Sequence, residues 1–520
     1  MKVILPLIPL LFAGLAPAES SPAAPATAVS KSTYVIIYSK PTAESGAEWK
    51  NVISALQQKH ELAGRSVILQ ELAALDEDSI AAALQPLKGK GRYAAVVARP
   101  EEVSRVLFRD IHRAVRRVDA DPWGDCLCGV VTGRTPEDAL RIAKAEEPLV
   151  MKRLLATTNV DASRFEHSYC ITDWSGAPVM AQTGYTEPQQ TLYSRETPEG
   201  QAVFNAGLQT LFAQELQQEK PQLIITSSHA TQFNLEMPFS IGAILPSGGY
   251  FYQASPEQFS SFGHTLRAAY MRQPLEVSKW VSEKQLKPIL PDGEPRIWLA
   301  AGNCLFGDAY NTADSMSMTA LSTYTCNQVV GYTVPSWYGE GGWGTMGTLL
   351  GNAEGTSLAE AWFLNNQFIL HRTQKIHPAL LSVEFNAAEI SGTSQYKMVR
   401  DIEKAGIPPQ VISPVIKDCF GLVHDRDVVA FYGDPTWRAM VNESNTKPAF
   451  KITWHGSTSF TISSEKGGKA RIGILFPESV SADQVSGCDA QDAVFTNDFI
   501  LFESLELAPG ASRTVNLQFK

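Results

Sequence analysis

Two apolar segments of this chain each end at a side chain that can take part in acyl transfer. The segment PQLIITSSHATQ reaches His229, and the later segment PRIWLAAGNCLFGDA reaches Cys304. A parallel α/β sheet presents the carboxyl ends of its strands along one edge, so two such strands bring their reactive side chains into one crevice. A histidine there can remove the thiol proton, and the thiolate attacks an acyl carbon far better than the thiol does. The pattern therefore predicts a Cys304–His229 dyad of a cysteine hydrolase.

The negative oxygen of a tetrahedral acyl-transfer intermediate needs hydrogen-bond donors. Backbone amides in the turns after both strands are candidates, because a sharply bent chain leaves some of its amides unpaired. We expect the amides of Ala230 and Cys304 to form this oxyanion site. Gly302 and Gly307 flank Cys304 and permit the tight backbone that the turn requires.

Composition narrows the class of protein. The 520 residues include 44% hydrophobic and 19% charged residues, which is typical of a globular chain with two or three domains. The net charge of −10 and the isoelectric point near 5.5 disfavour nucleic acid or an anionic membrane surface as a partner.

Seven cysteines are an odd number, so one thiol stays free even if the other six pair. The alternative is that most of them are reduced and buried as small apolar residues. Cys126 and Cys128 lack the spacing of a zinc site, and no metal ligand set is predicted.

The N-terminus is typical of an exported protein. Lys2, an apolar run over residues 3–15 and the small residues Ala16-Pro17-Ala18 predict a signal peptide over residues 1–18. Residues 19–32 are almost entirely Ala, Pro and Ser, which predicts a flexible linker. No later segment has the roughly 18 consecutive apolar residues of a membrane span, so no membrane insertion is expected. The mature protein is expected to be secreted or periplasmic.

The fold class is predicted to be α/β, with two adjacent βα subdomains whose sheets are mostly parallel. Residues 33–155 alternate strand-like runs with amphipathic helical stretches, and residues 165–440 form a second, larger unit of the same kind. Residues 446–520 instead contain short alternating strands between Gly, Ser, Pro and Asp, which predicts a β-sandwich. Strands are expected at residues 34–38, 66–70, 93–98, 127–131, 168–172, 222–226, 296–301, 328–332 and 427–432, and helices near 199–218 and 357–371.

The chain resembles the gingipain family of cysteine peptidases, in the clan that also holds caspases, legumain and clostripain. Besides the two strand ends, the resemblance rests on GRTPEDALRIAKAEEP, GYTVPSWYGEGGWG and FYGDPTWRA. It implies a caspase-like catalytic subdomain at 165–440 and an immunoglobulin-like domain at 446–520. The implied activity is that of an exported cysteine endopeptidase acting on a polypeptide substrate. Its histidine and cysteine usually occur as His-Gly and Ala-Cys, whereas this chain has His229-Ala230 and Asn303-Cys304.

Other site residues are implied less directly. By resemblance, Asp173 is expected to orient His229 or to line the specificity pocket. Trp337 and Trp343 are candidates for the wall of the substrate cleft, since exposed aromatic rings beside glycine-rich turns offer stacking area. Glu340 is a candidate for selecting a basic substrate side chain. No cofactor is expected, and calcium held by scattered aspartates is left open as a structural ion.

Two non-catalytic functions stay open at this point. One is a catalytically degenerate gingipain-like protein that binds peptide or glycan, which the Ala230 and Asn303 differences allow. The other is an adhesion protein in which the β-sandwich and the tryptophan-rich loop bind carbohydrate. An activated Cys304 would react with thiol reagents near neutral pH, and a buried one would not.

Overall fold

A computed structural model describes residues 32–161, 164–172, 179–184, 188–192, 198–259, 277–352, 355–388, 392–441, 450–476 and 485–519. The predicted signal peptide, the linker up to residue 31 and Asp173 lie outside these residues. Over the described residues, none of the helices combines the length and the apolar character needed to cross a membrane.

The N-terminal part alternates strands and helices as predicted. Its strands are β1 (Thr33–Ser39), β2 (Ser66–Leu72), β3 (Tyr93–Val97), β4 (Leu127–Val131), β5 (Leu149–Met151) and β6 (Arg153–Ala156). Its helices are α1 (Lys40–Glu44), α2 (Ala47–Leu62), α3 (Glu77–Leu84), α4 (Arg105–Ala114) and α5 (Pro136–Lys144). The Thr135 side chain caps α5 by accepting a hydrogen bond from the Asp138 amide, and Pro136 occupies the first turn, where it removes no helical bond.

The middle part supplies the rest of the α/β structure. Its strands are β7 (His167–Thr172), β8 (Val179–Gly184), β9 (Pro188–Leu192), β10 (Leu223–Thr226), β11 (Ala230–Thr231), β12 (Asn234–Glu236), β13 (Ala243–Ser247), β14 (Tyr250–Ala254), β15 (Lys287–Pro288), β16 (Arg296–Ala300), β17 (Cys326–Tyr332), β18 (Val429–Tyr432) and β19 (Ala439–Val441). Its helices are α6 (Pro198–Ala206), α7 (Leu208–Gln218), α8 (Val277–Glu283), α9 (Met316–Leu321), α10 (Glu340–Gly351), α11 (Leu358–Ile376), α12 (Gly392–Lys404), α13 (Pro409–Ile412) and α14 (Ile416–Asp425). All nine predicted α/β strands are therefore present.

One sheet of twelve strands runs through both predicted subdomains, in the order β2-β1-β3-β4-β18-β17-β16-β10-β6-β7-β8-β9. One parallel set consists of five strands, namely β2, β1, β3, β4 and β18. A second parallel set consists of β17, β16, β10, β6 and β7. The two parallel sets meet at the antiparallel pair β17–β18, and β8 and β9 add an antiparallel edge. The two subdomains thus share one mixed, mostly parallel sheet instead of having separate sheets.

The central strands are apolar on both faces, because the sheet separates two cores. On β16, Trp298 packs into one core, and Ile297 and Leu299 pack into the other. On β10, Ile224 likewise faces the first core and Leu223 the second. Burial on both faces explains why these strands read as continuous apolar runs in the sequence.

A small antiparallel sheet that the sequence did not predict follows directly after His229. Its order is β11-β12-β13-β14-β15. The described part of residues 248–292 contributes β14, α8 and β15. A two-stranded sheet pairs β19 with β5 and so connects the end of the second subdomain to the first.

The C-terminal part is a β-sandwich. Its strands are β20 (Lys451–Trp454), β21 (Ser459–Ser463), β22 (Gly468–Leu475), β23 (Val485–Cys488), β24 (Ala493–Phe495), β25 (Phe499–Leu507) and β26 (Ser512–Phe519). They form two antiparallel sheets, β20-β21-β26-β23 and β22-β25-β24, around one core. The last strand, β26, lies between β21 and β23, whereas the last strand of an immunoglobulin domain lies beside its penultimate strand. The sandwich is present, and its described strand order differs from the immunoglobulin order.

Candidate active site

The two predicted strand ends are neighbours in the sheet. Strands β10 and β16 pair in parallel, with Thr226 opposite Ala300 at their carboxyl ends. His229 and Cys304 lie in the turns that follow at this edge. The chain adds β7 on one side of β6 and the next sheet strand, β10, on the other side. The direction in which strands are added to the sheet therefore reverses between β6 and β10. Such a reversal opens a crevice at the carboxyl ends of parallel strands, which is where ligands bind in open α/β sheets.

The side-chain amide of Asn303 joins these two turns. Its Nδ2 donates a hydrogen bond to the carbonyl oxygen of Ser228 at 3.0 Å, and its Oδ1 accepts one from the Thr226 hydroxyl at 2.6 Å. Asn303 is fully buried, so its bond with Thr226 forms away from water. The carbonyl of Ser228 can only accept, which fixes the orientation of the amide. The residues that directly precede His229 and Cys304 are therefore held together.

The thiol of Cys304 is half-buried and contacts the loop after the next strand, β17. Its Sγ lies 3.7 Å from both the carbonyl oxygen and the hydroxyl of Ser336. The Ser336 hydroxyl donates in turn to the carbonyl of Gly302 at 3.0 Å. Within the described part of the chain, both hydrogen-bond partners of the thiol are atoms of Ser336, and the exposed His229 imidazole is not one of them. The structure brings the two turns together and leaves the thiol turned toward Ser336.

Two glycines allow the elements around Cys304 to approach closely. A Cβ on Gly302 would lie 2.1 Å from the Ser227 hydroxyl and 3.1 Å from the indole nitrogen of Trp343. A Cβ on Gly342 would lie 2.0 Å from the carbonyl oxygen of Ala301. Neither position can accommodate a side chain without movement of the backbone or of a neighbour. Trp343 and the first turn of α10 therefore pack directly against the Cys304 turn.

The backbone after His229 begins the edge strand of the small antiparallel sheet. The carbonyl of His229 accepts a hydrogen bond from the Glu236 amide at 2.9 Å, and the next pair along the ladder is Ala230 with Leu235. Hydrogen-bonded and non-hydrogen-bonded pairs alternate in an antiparallel ladder. Ala230 is therefore at a non-hydrogen-bonded position, and its N–H points away from β12 on the open side of the edge strand.

The predicted substrate-binding residues lie on the loop and helix that follow β17. Trp337 and Trp343 expose 39% and 36% of their surface, which is unusual for such large apolar rings. The Glu340 carboxylate pairs with Arg372 at 3.1 Å and with Arg471 of the β-sandwich at 2.6 Å. A basic substrate side chain at Glu340 would have to compete with these two arginines. The role predicted for Glu340 stays a prediction, and its contacts indicate instead a link between α10 and the sandwich.

All seven cysteines are unpaired, which agrees with the predicted alternative of reduced thiols. Five of them are buried, and Cys304 and Cys488 are half-buried. Burial raises the pKa of the thiols of Cys128, Cys170 and Cys326 to about 12, which makes them unreactive at neutral pH. Burial also raises the pKa of Cys488.

Asn303 and Ser336 were not among the predicted site residues. The sequence contained one indication of a role for Asn303, because a polar residue at the end of an apolar strand needs hydrogen-bond partners when it is buried. Ser336 gave none, since only the pairing of β16 with β17 brings its loop to the thiol. Asp173 lies outside the described residues, and its predicted role stays a prediction.

Comparison with known proteins adds little to this geometry. No family model matches the chain, and no curated protein matches it. One solved structure, described as "Structure of Protease", aligns over 94% of this chain and 97% of that chain with 8% identical residues and a TM-score of 0.36. A similarity at this level does not define a shared fold. The resemblance to the gingipain family therefore stays a prediction from the sequence.

Proposed function

We propose that this protein is a cysteine endopeptidase in which Cys304 is the nucleophile and His229 is the general base and acid. One observation carries the proposal: the turns after two neighbouring parallel strands bear these side chains, and the buried Asn303 amide joins the turns. A buried hydrogen bond that fixes two turns can hold a nucleophile and its base in the positions that the reaction requires. The family resemblance of the sequence supplies the peptide substrate class.

The reaction would proceed by acyl transfer. His229 removes the proton from the Cys304 thiol, the thiolate attacks the carbonyl carbon of the scissile peptide bond, and the protonated imidazole gives its proton to the leaving amine. Water then hydrolyses the thioester, with His229 as the base, and the thiol is restored. The thiol must rotate away from Ser336 before it can meet the imidazole, a rearrangement that apo active sites commonly require.

Two amides are suited to hold the oxyanion. The N–H of Ala230 points away from its ladder partner, as argued above. The N–H of Cys304 has no backbone hydrogen bond among the described residues, whereas the next amide, that of Leu305, donates to the carbonyl of Val334 at 3.3 Å. We assign the oxyanion site to Ala230 and Cys304, because donors held in place before the reaction stabilise the charge without reorganising.

We also propose that substrate lies across the exposed rings of Trp337 and Trp343. The packing of Trp343 against Gly302 places one of these rings beside the nucleophile's turn. Export remains part of the proposal and rests on the predicted signal peptide at residues 1–18 alone. N-terminal sequencing of the protein isolated from its source would test it, and a first residue at Glu19 is expected.

Thiol labelling tests the proposal directly. The full chain is treated with iodoacetamide at neutral pH without reductant and followed by intact-mass measurement. We expect one fast modification that is lost in Cys304→Ala and slowed at least about tenfold in His229→Ala, because only the thiolate reacts. His455→Ala is the matched control, since His455 lies on the sandwich and bonds Thr461. Cys488, half-buried with a raised pKa, is the internal reference for an unactivated thiol.

The non-catalytic alternative has one observation in its favour, namely that the thiol bonds Ser336 and not His229. If the folded protein shows no fast labelling, or if His229→Ala is labelled at the wild-type rate, the proposed Cys304–His229 dyad is refuted. A protein that binds peptide or glycan without catalysis then becomes the better hypothesis. If labelling is fast, a peptide library incubated with the wild type and with Cys304→Ala should show cleavage by the wild type alone.

A further inference from the structure

The loop that carries Ser336 and the proposed substrate residue Trp337 rests on helix α14. Residues of this helix contact the loop and the start of α10 that follows it, namely Asp418, Gly421, His424 and Asp425. Their spacing of three and four residues places them on one face of the helix. One side of α14 therefore meets the loop over two helical turns.

Asp425, the last residue of α14, is fully buried and binds the start of α10. Its Oδ2 accepts hydrogen bonds from the Gly341 amide at 2.9 Å and from the Tyr332 hydroxyl at 3.0 Å. The Tyr332 hydroxyl accepts in turn from the Gly342 amide at 2.9 Å. The first amides of a helix have no partners inside the helix, so these bonds satisfy two of them. The carboxylate thereby fixes the turn of α10 that packs against the Cys304 turn.

His424 extends this support to the Trp337 ring. Its side chain is buried, and its Nδ1 forms a hydrogen bond with Asp425 Oδ1 at 2.8 Å. The imidazole contacts two aromatic rings, with its centroid 4.6 Å from that of Phe385 and 5.6 Å from that of Trp337. The bond and the Phe385 ring fix the imidazole, and the imidazole in turn supports the half-exposed indole.

Tyr338 holds the middle of the loop against the same face of α14. Its hydroxyl donates a hydrogen bond to Asp418 Oδ1 at 2.9 Å. Its ring lies so close to Gly421 that a Cβ at this position would be 2.1 Å from a ring carbon. Only glycine at position 421 leaves room for the tyrosine ring in this place.

From these contacts we infer that His424 and Asp425 are positioning residues, which hold Trp337 and its loop where substrate binds. The inference rests on the proposed function, because only there is Trp337 a substrate residue. The turns of the catalytic dyad are joined separately, by the Asn303 amide. A disturbance of the α14 face should therefore weaken substrate binding, which raises KM, more than it slows the chemical step.

Gly421→Ala tests this inference with one added methyl group and no lost hydrogen bond. The new Cβ must displace the Tyr338 ring, while alanine is a better helix former than glycine and does not weaken α14 itself. We expect KM for a cleaved peptide to rise about tenfold and kcat to change by less than about twofold. Gly347→Ala is the matched control, because Gly347 is an exposed glycine of α10 whose added Cβ would meet nothing within 4 Å. It should change neither quantity.

A second readout does not need peptidase activity. At about pH 10 a thiol ionises without the help of a base, so iodoacetamide labelling of Cys304, located by peptide mapping, reports access to the thiol alone. Because Ser336 contacts the thiol, displacing its loop should speed this labelling at least about threefold in Gly421→Ala and leave it unchanged in Gly347→Ala. If the wild type cleaves no peptide, the proposed function fails, and this labelling still decides whether α14 positions the loop.

His424→Gln is the second variant. Glutamine keeps a hydrogen-bonding group for Asp425 and removes the ring beside Trp337, so KM should rise here as well. His112→Gln is its control, because His112 is a buried histidine of α4 that bonds the Val429 carbonyl. This control should keep the wild-type KM.

Two results would overturn the inference. One is a Gly421→Ala variant that matches Gly347→Ala in both KM and the labelling rate near pH 10. The other is a loss of kcat without a change in KM in Gly421→Ala and His424→Gln, which would place the α14 face in the chemical step instead of in substrate binding. With an inactive wild type, equal labelling rates in the two glycine variants are sufficient to overturn it.

Discussion

Replacing Asn303 by alanine should separate the positioning of the dyad from the stability of the fold. The substitution removes the hydrogen bond to the Ser228 carbonyl and the one from the Thr226 hydroxyl, at a position where the Asn303 side chain is fully buried. The Thr226 oxygen keeps its bond from the Trp298 indole at 3.0 Å, but its own proton and the Ser228 carbonyl lose their partner. Each buried group left unsatisfied costs about 1–3 kcal/mol, so we expect Asn303→Ala to lower the free energy of unfolding by about 2–4 kcal/mol.

The effect on reactivity should be larger than this stability loss suggests. Once the amide is gone, the His229 turn and the Cys304 turn no longer share a side-chain bond, and the distance between imidazole and thiol becomes variable. A misplacement of about 1 Å lowers the rate of a positioned reaction by about 10²-fold. We therefore expect iodoacetamide labelling of Cys304 at neutral pH to slow by about one to two orders of magnitude. The pH profile of labelling should move toward that of an unassisted thiol.

Gln328→Ala is the control for a general loss of stability. Gln328 is also fully buried, and its Nε2 donates to the carbonyls of Asp434 and Trp437 at 3.0 and 2.8 Å. Its loss should cost a similar free energy of unfolding, measured by urea denaturation, and leave the labelling rate unchanged. If Asn303→Ala loses stability but labels Cys304 at the wild-type rate and with the wild-type pH profile, the amide does not position the dyad and the reasoning is refuted.

Two further predictions concern the sandwich and acid stability. Arg471→Met removes the ion pair between the sandwich and Glu340 and the hydrogen bond from Arg471 to Asn365, both of which are part-exposed. We expect α10 to lose about 1 kcal/mol of stabilisation and kcat/KM for a cleaved peptide to fall roughly fivefold. The control Lys375→Met, which removes an exposed partner of Glu503, should change neither quantity. Burial lowers the pKa of His112 to about 4, whereas its pKa in the unfolded chain is near 6.5. Between these two values the unfolded state binds a proton that the folded state does not bind. The free energy of unfolding should therefore fall by about 3 kcal/mol as the pH drops from 6.5 to 4. In His112→Gln, whose amide can still donate to the Val429 carbonyl as the Nε2–H does at 2.8 Å, urea midpoints over this range should be flatter, and an unchanged slope would contradict the assignment.

The strands of the large sheet could be predicted because burial on both faces leaves a strong local signal. Strands β10 and β16 are short apolar runs that end at polar turns, and their bounds follow from the sequence to within a residue or two. Their adjacency also followed, since the carboxyl ends of parallel strands meet at one edge. The small antiparallel sheet after His229 did not follow, because strands such as β11, with two residues, are too short to show a period.

The continuity of the sheet could not be read from the sequence. Strand β18 touches β4 through one residue pair, Tyr432 with Val130, and this contact spans the whole of the second subdomain along the chain. The partners of Glu340 could not be predicted either, because at least one of them is also far away along the chain. Its position after a glycine-rich loop suggested contact with substrate, whereas Arg471 reaches it from a strand of the sandwich more than a hundred residues away.

The two sequence differences from the resembled family can be judged on physical grounds. Ala230 replaces a usual glycine, but it opens strand β11 in an extended conformation, and a Cβ costs nothing there. Asn303 replaces a usual alanine, and its larger side chain is fully buried with both ends of the amide bonded to the neighbouring turn. Neither change removes an amide or a reactive side chain from the proposed site, and the second adds a bond between the two turns. The differences are therefore compatible with a working dyad, and the reactivity of Cys304 in Asn303→Ala measures how far this chain depends on that added bond.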